Sequence, residues 1–289
     1  MLNTETIKRF HEDGAVLLPG ALSARQLAVV EAAYAHRLEH LSDNVLDLYK
    51  GSGATFITDT TNLAAWPAPQ FQSLLHETPL ADIAGEVFST RDVWFFYEQI
   101  FLKQGGSARR TPWHQDSSYI PGRGPDFCRM WINLDPVRKA DSLEFIRGSH
   151  LGPTYNGSIF DPDDDTAPLY AEDALPRLPD VEKDRGAWDI LSWDITPGDI
   201  VLFHPATLHG GAGTVPGVRR RTLSMVYFGA DAWYEPRPAV QTGGGELAGD
   251  KLDAVNGADP FMGQKDGDPF RPSYAVKLRS EREGALASA

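Results

Sequence analysis

The sequence predicts a mainly β protein in which antiparallel strands close into a double sheet and a helical segment buttresses one face. Helical periodicity is confined to roughly the first 90 residues. About eight short strand-like runs then follow, separated by turn residues, with no helical pattern between them. No internal repeat is present. A chain of 289 residues, 42% hydrophobic and 10% aromatic, has apolar surface for a sizeable core, and a single barrel domain accommodates that length. One domain over residues 1–289 is therefore expected: a helical buttress at 1–90, a core at 91–229 carrying a loop insertion at 157–187, and an irregular tail at 230–289.

Thr4 to Glu12 reads as a short helix, and Ala15 to Leu18, stopped by Pro19-Gly20, as a strand. After Ser23, a good N-cap, apolar residues recur at Leu27, Val30, Tyr34, Leu38 and Leu41, the pattern of a helix lying on the outside of a sheet. Two further short helices are expected between Asn62 and Phe88, punctuated by Pro67, Pro69 and Pro79. The period then changes. Val93 to Lys103 is rich in aromatic and β-branched residues and reads as a long core strand, and Cys128 to Leu134 and Ser142 to Ile146 as two more. The insertion, with Asp161-Pro162-Asp163-Asp164-Asp165, has the composition of a mobile surface loop. Strands resume with Trp188 to Ile195, a Thr196-Pro197-Gly198-Asp199 turn and Ile200 to His204, and a last clear strand runs from Arg220 to Phe228.

The formal net charge of -13 argues against nucleic-acid or anionic-membrane binding, which need broad positive surface. Cys128 is the single cysteine, so no intramolecular disulfide can form, and the start of the chain lacks the pattern of a signal peptide. No run approaches the ~18 apolar residues that span a bilayer. A soluble, cytoplasmic protein with a small-molecule partner fits these features.

The chemistry centres on Trp113-His114-Gln115-Asp116. In a strand, alternate side chains share a side, so His114 and Asp116 would offer an imidazole and a carboxylate to one metal ion. A further histidine must complete the set. His204 ends an apolar strand, the setting of a backbone-bonded histidine, and His150 sits in a turn. His209 precedes Gly210-Gly211, where missing side chains leave room for an ion and its co-ligand, and is preferred. Two histidines and one carboxylate with open positions form the facial set of non-haem Fe(II) oxygenases. His11, His36, His40 and His76 read as ordinary surface histidines. Arg220 opens the last strand with Thr222 and Ser224 on its side, and an inward guanidinium implies an acidic ligand. Arg219 and Arg221 would then face solvent.

These residues resemble the phytanoyl-CoA dioxygenase family of Fe(II)/2-oxoglutarate oxygenases, which includes the ectoine hydroxylases. The likeness is carried by Trp113-His114-Gln115-Asp116, Gly148-Ser149-His150, His209-Gly210 and Arg220, and extends loosely from Ile7 to Phe228. It implies a double-stranded β-helix, or jelly roll, holding Fe(II) through His114, Asp116 and His209. It further implies 2-oxoglutarate bound by Arg220 with help from Thr222, Lys103 and Trp131, and substrate contacts at Gln99 and Tyr119. O2 would be the second cosubstrate. Related halogenases carry a small residue in place of Asp116, so the carboxylate favours hydroxylation of a C–H bond, with release of succinate and CO2, over halogenation. Desaturation, epoxidation and rearrangement use the same site.

Two other classes share the ligand set: a Zn-dependent hydrolase and a non-catalytic metal-binding barrel. Substrate choice should lie in residues 49–61, 117–127, the acidic insertion and the tail. Trp233-Tyr234, Phe261-Met262 and Phe270 either line an apolar pocket or simply pack the tail. Arg109, Arg110, Arg123 and Arg129 form a basic cluster read mainly as solvated charge.

Overall fold

The computed structural model describes residues 1–43, 45–47, 54–62, 68–105, 110–161, 163–211, 213, 217–240 and 259–279. Helix α1 (Thr4–Asp13) starts where the Asn3 side chain accepts from the Thr6 amide and stops at Gly14, whose φ is +80°. Glycine is needed there for a second reason. A Cβ at position 14 would come within 2.5 Å of His150 Nδ1 and 2.6 Å of Thr207 Oγ1. The chain reverses into β1 (Ala15–Leu18) and then α2 (Ala24–Glu39). Ser23 and Gln26 form a reciprocal capping box at the start of α2, a device stabilising by about 1 kcal/mol. Helices α3 (Pro69–His76) and α4 (Leu80–Phe88) complete the buttress, and Pro69 sits at the first turn, where its missing N–H costs nothing.

The strands are β2 (Leu46–Asp47), β3 (Ala54–Thr61), β4 (Asp92–Gly105), β5 (Thr111–His114), β6 (Gly122–Arg123), β7 (Phe127–Asn133) and β8 (Leu143–Ile146). They continue with β9 (Ile190–Leu191), β10 (Ile200–Phe203), β11 (His209–Gly211), β12 (Arg220–Phe228), β13 (Trp233–Tyr234) and β14 (Val276–Arg279). The large sheet runs β1-β10-β7-β12-β4-β3-β2, with β14 also on β4, and the smaller runs β5-β11-β8-β9. Every pairing between these strands is antiparallel. Among the described residues this is the double sheet of a jelly roll. Strand β4, fourteen residues long, pairs with β12 on one side and with β3 and β14 on the other.

Alternation along these strands sorts the core. Outward residues Val16, Ile100, Met130, Ile132, Leu202, Leu223 and Met225 pack with Val30, Tyr34, Phe71 and Leu74 of the helices. Inward residues Ala15, Val201 and Phe203 pack between the sheets with Phe145 and Trp131. Burial of this kind stabilises by about 25 cal/mol per Å² of apolar surface.

Four expectations change. Trp188 to Ile195 is not one strand but the two-residue β9 and an isolated bridge from Ile195 to Val137. The insertion lacks long regular elements yet is packed, with Leu169, Tyr170, Leu178 and Val181 buried. The tail contributes β14, and Phe261 and Phe270 fill a cluster with Phe96, Phe127 and Phe228 rather than line a pocket, while Met262 is exposed. Part of the stretch 49–61 assigned to substrate choice is strand β3, and residues 48–53 lie outside the described residues.

Candidate metal centre

The two histidines meet because their strands are neighbours: His209 on β11 lies directly opposite His114 on β5. Each Nδ1 donates to a carbonyl two residues back, His114 to Pro112 O at 2.9 Å and His209 to Thr207 O at 2.9 Å. A carbonyl can only accept, so Nδ1 carries the proton and Nε2 keeps its lone pair. Both Nε2 atoms face Asp116, at 3.6 Å from Oδ1 for His114 and 3.9 Å from Oδ2 for His209. One ligand atom from each of the three residues lies within 4.8 Å of the others. Burial is the main cause that lowers His209 to about 3, with His114 adding to it, so the ring is a neutral donor at physiological pH.

Asp116 reaches the site differently from expectation. Strand β5 ends at His114, and Asp116 opens a one-turn 3₁₀ helix, Asp116–Ser118. The intervening Gln115 anchors that turn: its amide donates to Ala206 O at 2.8 Å and Pro153 O at 3.2 Å and accepts from Tyr155 N. The Gly210 position is also corrected. A Cβ there would meet Thr111 O at 3.0 Å and Arg110 Nη2 at 3.1 Å, so the glycine admits the neighbouring strand and not the ion.

Arg129 is not the solvated charge expected from the sequence. Its side chain is buried, and Nη1 donates to Asp116 Oδ2 at 2.7 Å, Nε to Ser224 Oγ at 2.6 Å and Nη2 to Gln99 Oε1. Burial alone would raise the Asp116 pKa, but this guanidinium, aided by His209, holds the carboxyl well below the usual carboxylate range. The signal available was register: Arg129 is two residues before Trp131, on the inward side of β7. Of the other arginines grouped with it, Arg110 pairs with Glu144 and Glu182, Arg123 faces Glu235, and Arg109 lies outside the described residues. Gln99 is engaged at both ends, its Nε2 donating to Thr58 Oγ1 at 2.8 Å.

Beyond the triad, β12 presents Arg220, Thr222 and Ser224 to the interior in steps of two. Arg220 lies opposite Lys103 of β4, and Thr222 opposite Phe101 of β4 and Asn133 of β7. Arg220 donates to Asp141 O, whereas Arg219 and Arg221 turn outward to Asp135. Lys103 lies 4.0 Å over the Phe56 ring and 3.4 Å from Thr111 Oγ1. Burial, then the neighbouring Arg220, lowers it to about 7. Two cationic side chains side by side, Lys103 buried and Arg220 half-buried, favour an anion placed between them. Thr222 Oγ1 donates to Asn133 Oδ1 at 2.8 Å, while Asn133 Nδ2 is buried with no hydrogen-bond partner among the described residues. Trp131 stacks obliquely on Phe101, with ring centroids 4.7 Å apart. This row suits a dicarboxylate.

The insertion covers the histidine side of the site. Phe160, at φ +57°, brings its ring 5.3 Å from His114 and stacks with Tyr119. Tyr119 Oη bonds both Ser158 N and Ser158 O at 2.9 Å, and Tyr170 Oη donates to Ser118 O at 2.6 Å. His204 lies apart from the ligands, in a groove with Phe10, His11 and His150. It donates to Gly124 O at 3.0 Å, and burial lowers it to about 4. His150 likewise bonds His11 O.

A jelly roll with two histidines and one carboxylate converging between its sheets defines a mononuclear metal-site barrel of the oxygenase type. The sequence pattern of phytanoyl-CoA dioxygenase (PhyH) matches residues 10–222, and the chain belongs to that family. A probable alpha-ketoglutarate-dependent hypophosphite dioxygenase of Stutzerimonas stutzeri is 29% identical over 128 residues, covering 44% of this chain and 42% of that protein. The match therefore spans less than half of that relative. Among solved structures, the non-heme alpha ketoglutarate dependent epimerase SnoN from nogalamycin biosynthesis superposes with a TM-score of 0.66 at 23% identity, covering 96% of both chains. The carbocyclase SnoK of the same biosynthesis also gives 0.66, at 21% identity and 96% of both chains. At these identities the structures share the fold.

Proposed function

We propose that the protein is an Fe(II)/2-oxoglutarate-dependent oxygenase of a small molecule. The observation that carries this is the pairing of the His114, Asp116 and His209 triad with an inward row of Arg220, Lys103, Thr222 and Asn133 in one interior. In this reading the triad holds iron, and Arg220, Lys103 and Thr222 bind the cosubstrate, with Trp131 walling the pocket. Bound there, iron and 2-oxoglutarate supply the oxidising power, consuming O2 and releasing succinate and CO2. The chain's own groups orient and exclude water. Pro112 O and Thr207 O fix the two imidazoles through their Nδ1 protons. Arg129 fixes the rotamer of Asp116 and balances its charge. Phe160 and Tyr119 form a dry aromatic wall beside His114, where substrate would approach, and Gln99 lies on the same interior face as Arg129.

Hydroxylation is the default outcome with Asp116 present. Epimerisation or ring closure is a second reading, favoured by SnoN, solved with Fe3+, alpha ketoglutarate and nogalamycin RO, and by SnoK. A Zn-dependent hydrolase or silent barrel has no use for the paired Arg220 and Lys103. Anaerobic addition of Fe(II) and 2-oxoglutarate should produce a weak visible charge-transfer band. His114→Ala should abolish it and His204→Ala should retain it. Absence of the band in the wild type, or its loss with the His204 variant alone, overturns this reading.

A further inference from the structure

Asn133 stands at the C-terminal end of β7, 1% exposed, opposite Thr222. Its Oδ1 accepts from Thr222 Oγ1 at 2.8 Å, which leaves Nδ2 as the donor end. That donor is buried and meets no acceptor among the described residues. An unsatisfied buried donor costs about 1–3 kcal/mol, so its retention calls for an acceptor that arrives later.

The inward face of β12 locates that acceptor. Ser224 is joined through Arg129 to the ligand Asp116. Thr222 is one same-side step further along and holds Asn133. Arg220, opposite Lys103, is one step beyond. Same-side residues on a strand are roughly 6.6 Å apart, so Asn133 lies level with the middle of a row that starts at the metal ligand and ends at two cations. Those cations sit at the end remote from the metal.

We propose that Asn133 Nδ2 is a further donor to the distal carboxylate of the dicarboxylate cosubstrate, alongside Arg220 and Lys103. The proposal rests on the reading of the site as a 2-oxoglutarate oxygenase. Asn133 then distinguishes an acid that reaches past the metal from one that only chelates it.

The test is anaerobic calorimetry on the Mn(II)-loaded protein, comparing 2-oxoglutarate with oxalate, which can chelate the metal but has no distal carboxylate. Asn133→Ala should weaken 2-oxoglutarate by about 10–100-fold, the range of a hydrogen bond to a charged group, and leave oxalate unchanged. Asn133→Asp, which keeps an acceptor for Thr222 and the side-chain volume, should weaken 2-oxoglutarate further and again spare oxalate. Wild-type affinity for 2-oxoglutarate in both variants overturns the proposal. So does an equal loss of both acids, which marks a merely structural role. A wild-type protein that binds oxalate but not 2-oxoglutarate instead sinks the oxygenase reading beneath it.

Discussion

Lys103 illustrates how one residue's surroundings set its titration. It is buried under Phe56, beside Thr111 and opposite Arg220, and these surroundings lower it to about 7 from an ordinary value of 10.5. A carboxylate placed between Lys103 and Arg220 favours the charged amine, so binding takes up a proton whenever the site is empty above pH 7. The affinity of the metal-loaded protein for 2-oxoglutarate should therefore fall as pH rises from 7 to 9. Lys103→Met should bind more weakly at pH 7 and lose the slope, as titration calorimetry at several pH values would reveal. An unchanged slope would remove Lys103 from the pocket. Arg129 makes a related point. Its type reads as solvated charge in a sequence, yet the position on the inward side of β7 commits it to Asp116.

At the scale of elements, α2 is pinned to the large sheet by more than apolar contact. Arg37 of α2 donates through Nε to Glu98 Oε1 of β4 at 2.9 Å and through Nη2 to Asp59 Oδ2 of β3 at 2.7 Å, all three buried. Thr61 also donates to Glu98 Oε1, while Oε2 has no hydrogen-bond partner among the described residues. Burial raises Glu98 to about 7, against the pull of Arg37. Because its folded value exceeds the ordinary 4.5, the stability this group contributes is complete below pH 4.5 and is lost as pH rises through about 7. Glu98→Gln should flatten the pH dependence of denaturant midpoints between pH 5 and 8, measured by fluorescence. A retained slope would assign the dependence elsewhere. The sequence marks its elements most clearly where their signals are local. The Ser23 cap and the strands β1, β4 and β12 were legible because composition, turn residues and capping are local properties. Strands β3 and β14 were not, since their pairing with β4 is decided by a partner distant in sequence. The acidic insertion reads as a free loop from composition, but Tyr119, Asn156 and Tyr170 strap it across the site through backbone bonds that no local pattern encodes.

Across the whole molecule, the His114, Asp116 and His209 cluster belongs to β5, β11 and the turn after β5, while Arg220 and Lys103 belong to the large sheet. Metal plus dicarboxylate would thus tie the two sheets together. Ligands that bind only the folded state stabilise it by mass action, about 2.7 kcal/mol at a hundredfold excess over Kd. Mn(II) should raise Tm by several degrees, 2-oxoglutarate should raise it further only when the metal is present, and a chelator should reverse both shifts. His114→Ala should abolish the Mn(II) shift in differential scanning fluorimetry. An unaltered shift would place the metal elsewhere.

The sequence by itself determined the mainly β class, the helical buttress, the cap of α2, the long strands and the choice of His114, Asp116 and His209 as one cluster. Each follows from local periodicity or from residue types that suit a metal. Only the tertiary structure decided that Asp116 arrives on a turn, that Arg129 neutralises it, that Asn133 holds a donor in reserve and that Gly210 makes way for a strand. Those outcomes depend on which strands lie side by side, and strand pairing is set by burial across the whole chain rather than by any neighbouring residues.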